Sequence, residues 1–542
     1  MKLKKTAAAI LTAALLLSGC GTGSQGGGST GEDVGILRIG TTTTGETLTI
    51  MSESGVFGQM NYISFSAAPF VELDKDGFVQ PYIMTSWEIS EDQKTITASF
   101  AVDKGITWHD GKPLTIEDII FTFDYLINVK KSSYLQSMTG VEQIDEKTLR
   151  LNFAQPDAFD VMNSIVLATW VYPKHIWEGI EDFNGYTGED RYIGCGPYKL
   201  VEYDLDAQVF TYEAVESYFK GELTVKKVVV RSYESQAALA MALVNGEVDA
   251  MYAYSNPIDP SLKSVIADKE GLDLGSTINP GHFQIAFGFR KYPTNDLSFR
   301  KAVASALDYE LLAVTIGGED GEVAGSGVIS PTAKGYNEKL KLPMNKQNIE
   351  EAKKLLDQAG FIDIDNDGYR ELPNGEQMSV LVTPQFNQAR SALYLRICEI
   401  IIENMKTVGV RVVLDEQSVR NSQHQSTFSR SGEYEIRICY NATSKAVWGT
   451  PFWFMADGSI WGTCDDEEFM DAYNKLMSSP NYEVYLENCA DLQRIVSEKS
   501  IGIALCWDAA FYPYRTDKYG GWINYPGWGG VNPSTWYSLY TK

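Results

Sequence analysis

Short runs in which apolar and polar residues alternate, and longer runs with apolar residues at helical spacing, succeed one another along most of this chain. Lys94 to Val102 alternates β-branched and aromatic positions with polar ones, which predicts a half-buried strand. Gly105 ends that pattern, and Trp108-His109-Asp110-Gly111-Lys112-Pro113 supplies the Asp-Gly and Pro of a tight connection. A helix is expected next, with Thr115 as its cap, Asp118 at the third position, and Ile119, Phe123, Leu126 and Ile127 on one face. Ile36 to Thr43 and Thr148 to Phe153 read as further strands, and Lys75-Asp76-Gly77 as a hairpin turn after Phe70-Val71-Glu72-Leu73.

The middle of the chain changes rhythm. A strand at Val225 to Arg231, an Ala- and Leu-rich helix at Gln236 to Val244 and the turn Asn245-Gly246-Glu247-Val248-Asp249 before another short strand predict a βαβ unit and so a parallel sheet. Ligands of such sheets sit beyond the carboxyl ends of the strands, which makes Tyr252, Tyr254 and Ser255 candidate contacts; lobe-interface packing is the alternative for the same aromatic residues. His282 to Phe289 reads as the strand entering a second lobe, followed by one helix over Asn295 to Leu312. Asn348 to Gly360 carries its own cap and terminator, with Ala352, Leu355, Leu356 and Ala359 on one face. Ala392 to Val408 is amphipathic, Val410 to Leu414 is a strand, and Tyr434 to Tyr440 sets Tyr434, Ile436, Ile438 and Tyr440 on one side of another.

Length and charge narrow the function. A chain of 542 residues exceeds one ordinary hydrophobic core, so two or three lobes are expected. At 44 % hydrophobic residues it is globular, and its negative mean hydropathy argues against a multi-span membrane protein. The net charge of −25, which becomes −28 once Lys2, Lys4 and Lys5 leave with a leader, repels phosphate backbones and argues against nucleic-acid partners.

Those lysines, the apolar run Ala7 to Leu17 and Leu17-Ser18-Gly19-Cys20 together resemble the signal peptide and lipobox of bacterial lipoproteins. The resemblance implies cleavage before Cys20, lipid attachment to it and an extracytoplasmic, membrane-anchored protein. Two acyl chains suffice for stable anchoring, at about 0.8 kcal/mol per buried methylene. Gly21 to Gly35 reads as a flexible tether. The remaining cysteines, Cys195, Cys398, Cys439, Cys464, Cys489 and Cys506, show no compact disulfide spacing, and most are expected as buried thiols.

The order Ser86-Trp87, strand, Trp-His-Asp-Gly-Lys-Pro, capped helix resembles the family 5 extracellular solute-binding proteins of ABC importers, the group that includes dipeptide and oligopeptide binders. Gly194-Cys195-Gly196-Pro197-Tyr198, Phe299-Arg300-Lys301-Ala302-Val303 and the Ala352 to Phe361 run extend the likeness, with Cys195 where a Thr is commoner. It implies a bilobal α/β fold of the periplasmic-binding-protein type with an extra subdomain, mixed sheets flanked by helices. Residues 36–70, 189–278 and 505–542 would form lobe I, 71–188 the subdomain on it and 279–504 lobe II, behind a leader at 1–20 and a linker at 21–35. A monomer is expected, which closes over a small solute and presents it to membrane permease subunits. By the same likeness the loop after the first strand reaches the cleft, bringing Phe57, and the loop from Asn441 to Trp453 forms a main part of the site, bringing Tyr440, Asn441, Trp448 and Trp453. Peptide binders place an Asp in that loop for the ligand's α-amine. Here the loop has no acid, and Asp457 is the next one along.

Two cargoes therefore remain open: a short peptide, or an oligosaccharide, since seven of the eleven tryptophans lie at or beyond Trp448 and flat rings stack on sugars. Nickel and haem carriers share the fold and stand behind both. A hydrolase fares worse, because the four histidines lack metal-ligand spacing and no nucleophile elbow, phosphate loop or Cys-x-x-Cys is present; His109-Asp110 reads as a corner rather than a dyad. No cofactor is expected. Asp363, Asp365 and Asp367 before Gly368 have calcium-loop spacing, but the twelfth position is Asn374, which leaves a solvated turn and a weak structural calcium site as the two readings.

Overall fold

The computed structural model describes residues 32–45, 62, 64–75, 78–132, 135–156, 158–159, 161–162, 170–183, 185–252, 257–279, 281–330, 335–337, 339–385, 390–441, 452, 455–459, 461–525 and 527–542. Three sheets carry the architecture. In the first, seven strands lie in the order Leu272–Asp273, Tyr514–Arg515, Ala250–Met251, Leu37–Thr41, Lys227–Ser232, Val209–Ala214 and Tyr198–Asp204. Leu37–Thr41 runs parallel to both Lys227–Ser232 and Ala250–Met251, so the first strand of the fold is inserted between the two ends of the βαβ unit. The helix of that unit, Gln236–Asn245, is capped by Ser235, which accepts from the Ala238 amide, and ends on Gly246 in the left-handed region.

The second sheet is antiparallel, in the order Met84–Ile89, Thr95–Phe100, Thr148–Phe153 and Met138–Gln143, with the helix Ile116–Asn128 packed on it. Alternation in Thr95–Phe100 sends Ile96, Ala98 and Phe100 inward, and Ile119, Phe123 and Leu126 of the helix meet the same core. The Asp118 carboxylate takes the Thr115 amide at 2.9 Å, which closes the helix start. His109 is the corner expected of it: its Nε2 bonds the Gly196 carbonyl oxygen at 3.1 Å, while Asp110 pairs with His175 at 2.9 Å.

The third sheet, in the order Val412–Leu414, Val380–Pro384, Ile436–Asn441, His282–Phe287 and Gly502–Ala504, has its own core. Phe283, Ile285, Phe287, Ile436 and Ile438 share its inner face. Where one helix was expected over Asn295 to Leu312, two form, Leu297–Ala306 and Tyr309–Gly317. Leu307 is extended, and Asp308 serves as the cap of the second helix, accepting from the Leu311 amide at 3.0 Å, while its own amide donates to Asn404 at 2.8 Å. The apolar period continues across this break, so periodicity alone hides it. All six described cysteines are free and buried.

A two-stranded ribbon joins the first and third sheets: Ser276–Ile278 leads out and Ala509–Phe511 leads back, paired antiparallel. The two halves also meet elsewhere. Lys263 pairs with Asp320, Gln93 donates to the Ser478 carbonyl oxygen at 3.0 Å, and Phe78 sits edge-on to Tyr482.

Candidate binding cleft at the ribbon

The site grows out of the ribbon's last pair. Beyond Ile278 and Ala509, Asn279 and Asp508 come next in register, and the Asn279 amide donates to Asp508 Oδ1 at 2.7 Å. Asn279 Oδ1 accepts from the Tyr440 hydroxyl at 2.7 Å and from the Gly281 amide at 3.1 Å. Over the Tyr440 ring, 5.5 Å from its centroid, lies the Arg390 guanidinium. Arg390 is buried, and its Nη2 donates across the cleft to the Pro257 carbonyl oxygen at 3.1 Å, a carbonyl that also accepts from Gln236. One network thus runs from the third sheet, through the ribbon, to the first.

Its electrostatics are unusual for a carboxylate. Burial pushes the Asp508 carboxyl up to about 6, against the pull of Arg390 and the Asn279 hydrogen bond. A carboxyl whose folded value lies above its unfolded one binds the extra proton only in the folded state. Its contribution to stability is therefore present at low pH and lost as pH rises from about 4 to about 6. Buried His109 and His282, both pushed down to about 4 by desolvation, act in the opposite sense over nearly the same range. The expected result is that denaturant unfolding of wild type and Asp508→Asn, compared at pH 4.5 and 7, shows the variant gaining relative stability as pH rises. Equal pH dependence of the two proteins would contradict it.

Tyr252 follows Ala250–Met251, where strand-end logic places a contact. It is buried, its ring parallel to Trp528 within 7° at 6.1 Å, and it lines a small cavity of about 10 Å³ with Thr42, Gln236, Ile258 and Tyr512. Trp528 in turn lines a second pocket, of about 90 Å³ and open to solvent, walled by Trp170, Trp536, Tyr82 and Tyr537. Glu72, in the same wall, has its carboxyl raised by burial and held in check by its ion pair with Lys220.

The other expected residues divide. Tyr440 and Asn441 end the Ile436–Asn441 strand, Tyr440 half-buried and Asn441 buried. Phe57, Tyr254, Trp448, Trp453 and Cys20 lie outside the described residues. Asp457 pairs with Arg290 at 3.0 Å. Asp363 and Asp365 gather with Glu371, their carboxylate oxygens within 4.8 Å of one another, while Asp367 turns to Arg411 at 3.1 Å. Sequence reading missed Arg390, Asn279 and Asp508. A signal for Arg390 existed, since it follows the carboxyl end of Val380–Pro384, a strand parallel to both neighbours. None existed for Asn279 and Asp508, which are distant in sequence and meet only through the ribbon.

Two α/β lobes hinged by a paired ribbon, with a polar network at the hinge and aromatic pockets beside it, define the class of two-lobed binding proteins. The chain belongs to the bacterial extracellular solute-binding proteins, family 5, whose model matches residues 79–460. It is 24 % identical over 340 residues to the oligopeptide-binding protein AppA of Bacillus subtilis, covering 60 % of each chain. Against the dipeptide-binding protein of Escherichia coli it is 25 % identical over 310 residues, 52 % of this chain and 55 % of that one. The nickel-binding periplasmic protein of Escherichia coli is 23 % identical over 403 residues, 73 % and 72 % of the two chains. The chain thus spans three fifths or less of the first two curated relatives. In fold it is similar to AppA in complex with a nonapeptide (TM-score 0.76, 17 % identity, 94 % of this chain and 100 % of that one). It is also similar to a mannohexaose-bound oligopeptide-binding protein of Thermotoga maritima (TM-score 0.70, 20 % identity, 95 % and 100 %).

Proposed function

We propose that the protein captures a short peptide between its lobes and hands it, chemically unchanged, to the permease of an ABC importer, held at the outer face of the membrane by a lipid on Cys20. The observation that carries the peptide reading is the Arg390–Tyr440–Asn279–Asp508 network. A zwitterionic peptide offers a carboxylate and an ammonium, and the cleft floor offers one buried guanidinium and one carboxyl linked through a tyrosine and an asparagine. Main-chain hydrogen bonding to an extended ligand fits the same cleft, with side-chain pockets left permissive. Closure then follows from differential affinity, because the ligand touches both lobes only when they meet. Relatives whose names include oligopeptide and dipeptide binding support this reading. An oligosaccharide is the second reading, favoured by the parallel Tyr252 and Trp528 rings.

Thermal melts with dipeptides to nonapeptides, mannose oligosaccharides and nickel chelates separate the readings. A true cargo at a hundred times its Kd adds about 2.7 kcal/mol to stability. Peptides alone are expected to raise the melting temperature, and mass spectrometry of the mixture is expected to return them intact. A shift with sugar or chelate only would reject the peptide reading, and cleaved peptide would reject the binding-protein role.

A further inference from the structure

The outer face of the third sheet carries a charge that no carboxylate among the described residues pairs with. Ile436 and Ile438 point into the core, so Arg437, Cys439 and Asn441 point the other way, opposite Ala286, Gln284 and His282 in register. Arg437 is 2 % exposed, and its Nε and Nη1 make no hydrogen bond. Its guanidinium rests on the Trp461 ring at 5.1 Å from the centroid. The carboxylates beside it in the fold serve other groups. Glu435 accepts from the Leu381 amide at 2.7 Å, and Asp415 takes the Gln417 and Ser418 amides together with the Ser418 and Thr383 hydroxyls. The chain from Ile436 to Ala456, which includes the loop that follows this strand, contains no acid.

The rest of the face is polar in the same direction. Asn441 Nδ2 is buried without a partner. His282 Nε2 donates to Gln284 Oε1 at 3.2 Å, and burial keeps the ring neutral, so it adds no positive charge. Burial raises the Cys439 thiol and the Tyr434 phenol, and the Arg437 field draws both back, which places the guanidinium close to each. A buried ion without a counter-charge is strongly unfavourable, and an aromatic face offsets only part of that.

We propose that Arg437 is the anchor of a buried anion site in the second lobe, which takes a small monovalent anion: a halide or a carboxylate. The guanidinium keeps two buried donors without a partner, Nε on one edge and Nη1 on the other, and each can give a small anion a charge-assisted hydrogen bond. Trp461 walls one side of it. The site is independent of which cargo the cleft accepts.

The test uses the purified full chain in an anion-poor buffer. Chloride, bromide and formate are titrated against methanesulfonate at equal ionic strength, with melting temperature as readout, and crystals grown with bromide are measured for anomalous scattering. Wild type is expected to show a saturable rise of a few degrees with the small anions and a bromide peak at the guanidinium. Arg437→Met is expected to lose the saturable rise, and, without anion, to be at least as stable as wild type, since an apolar side chain there removes a buried charge. Arg437→Lys, expected to keep part of the response, serves if the methionine variant does not fold. A wild-type response no larger than that to methanesulfonate, or one that persists unchanged in the variant that folds, overturns the proposal. A dipeptide that displaces bromide while its carboxamide does not identifies the anion as part of the cargo. Displacement by neither identifies it as a solution ion, and either result presupposes the site.

Discussion

Replacing Arg390 with methionine is expected to weaken cargo binding by roughly tenfold to a hundredfold and to open the lobes in the absence of cargo. The guanidinium is the one group of the hinge network that donates directly from the third sheet's side to a main-chain carbonyl on the first sheet's side. A hydrogen bond to a charged group contributes about 1.5–3 kcal/mol, and each 1.4 kcal/mol is about tenfold in an equilibrium. That contribution exists only when the lobes meet, so its loss falls on the closed state. The substitution also removes the cation that holds Asp508 down, which moves the carboxyl further above about 6. Small-angle scattering of the cargo-free variant is expected to report a larger radius of gyration, and calorimetry a weaker Kd. Unchanged values in both would show that Pro257 and Arg390 meet without locking anything. Gln236, which shares the Pro257 carbonyl, lies wholly on one side of the cleft, so Gln236→Ala is expected to leave the radius near that of wild type.

Trp108→Ala is expected to cost about 3–5 kcal/mol in the stability of the second sheet's subdomain, the range for truncating a fully buried large aromatic residue. Trp108 is 1 % exposed and faces the His175 ring edge-on. The damage should not stay local. The Trp108–Pro113 turn delivers His109, whose amide donates to the Gly194 carbonyl oxygen and whose ring bonds Gly196. A Cβ on Gly194 would stand 2.0 Å from the Ser66 carbonyl oxygen, and one on Gly196 2.6 Å from the Ser66 carbonyl carbon, so this glycine turn is pressed against backbone that cannot give way. Ser64, Ala67 and Pro197 then line the larger aromatic pocket. Hydrogen exchange is expected to show lost protection in Thr95–Phe100, Ile116–Asn128 and at Ser66–Ala68, with the third sheet unaffected. Trp108→Phe, which keeps most of the apolar contact, should show a smaller loss. Protection unchanged at Ser66 would separate the corner from the pocket wall.

Local pattern served the sequence reading well wherever one face of an element is buried. Leu37–Thr41, Thr95–Phe100, Thr148–Phe153, the Asn348-capped helix Ile349–Gln358 and the helix Ser391–Thr407 lie within a few residues of where alternation or helical spacing places them. It failed between Asn295 and Leu312, where Asp308 starts a second helix without interrupting the apolar period. Of the candidate site, the strand-end rule pointed to Tyr252 and the family resemblance to Tyr440 and Asn441, all three of which stand at or just past strand ends, and Arg390 was within reach of the strand-end rule. Asp457 was a reasonable acid on grounds of sequence distance, yet its pairing with Arg290 is fixed by how Gly288 to Arg290 packs against the 457–463 segment.

The amino-acid sequence by itself determined the family and most of the strand and helix order, and its charge argues against nucleic-acid partners, because each of these depends on residue type and spacing along the chain. Only the tertiary structure decided that Asn279 and Asp508, separated by more than two hundred residues, form one hydrogen-bonded pair, that Arg390 reaches the opposite lobe, and that Arg437 is buried with no carboxylate partner among the described residues. Desolvation and pairing are properties of surroundings, and surroundings are assembled by the ribbon and the sheets from segments that are strangers in sequence.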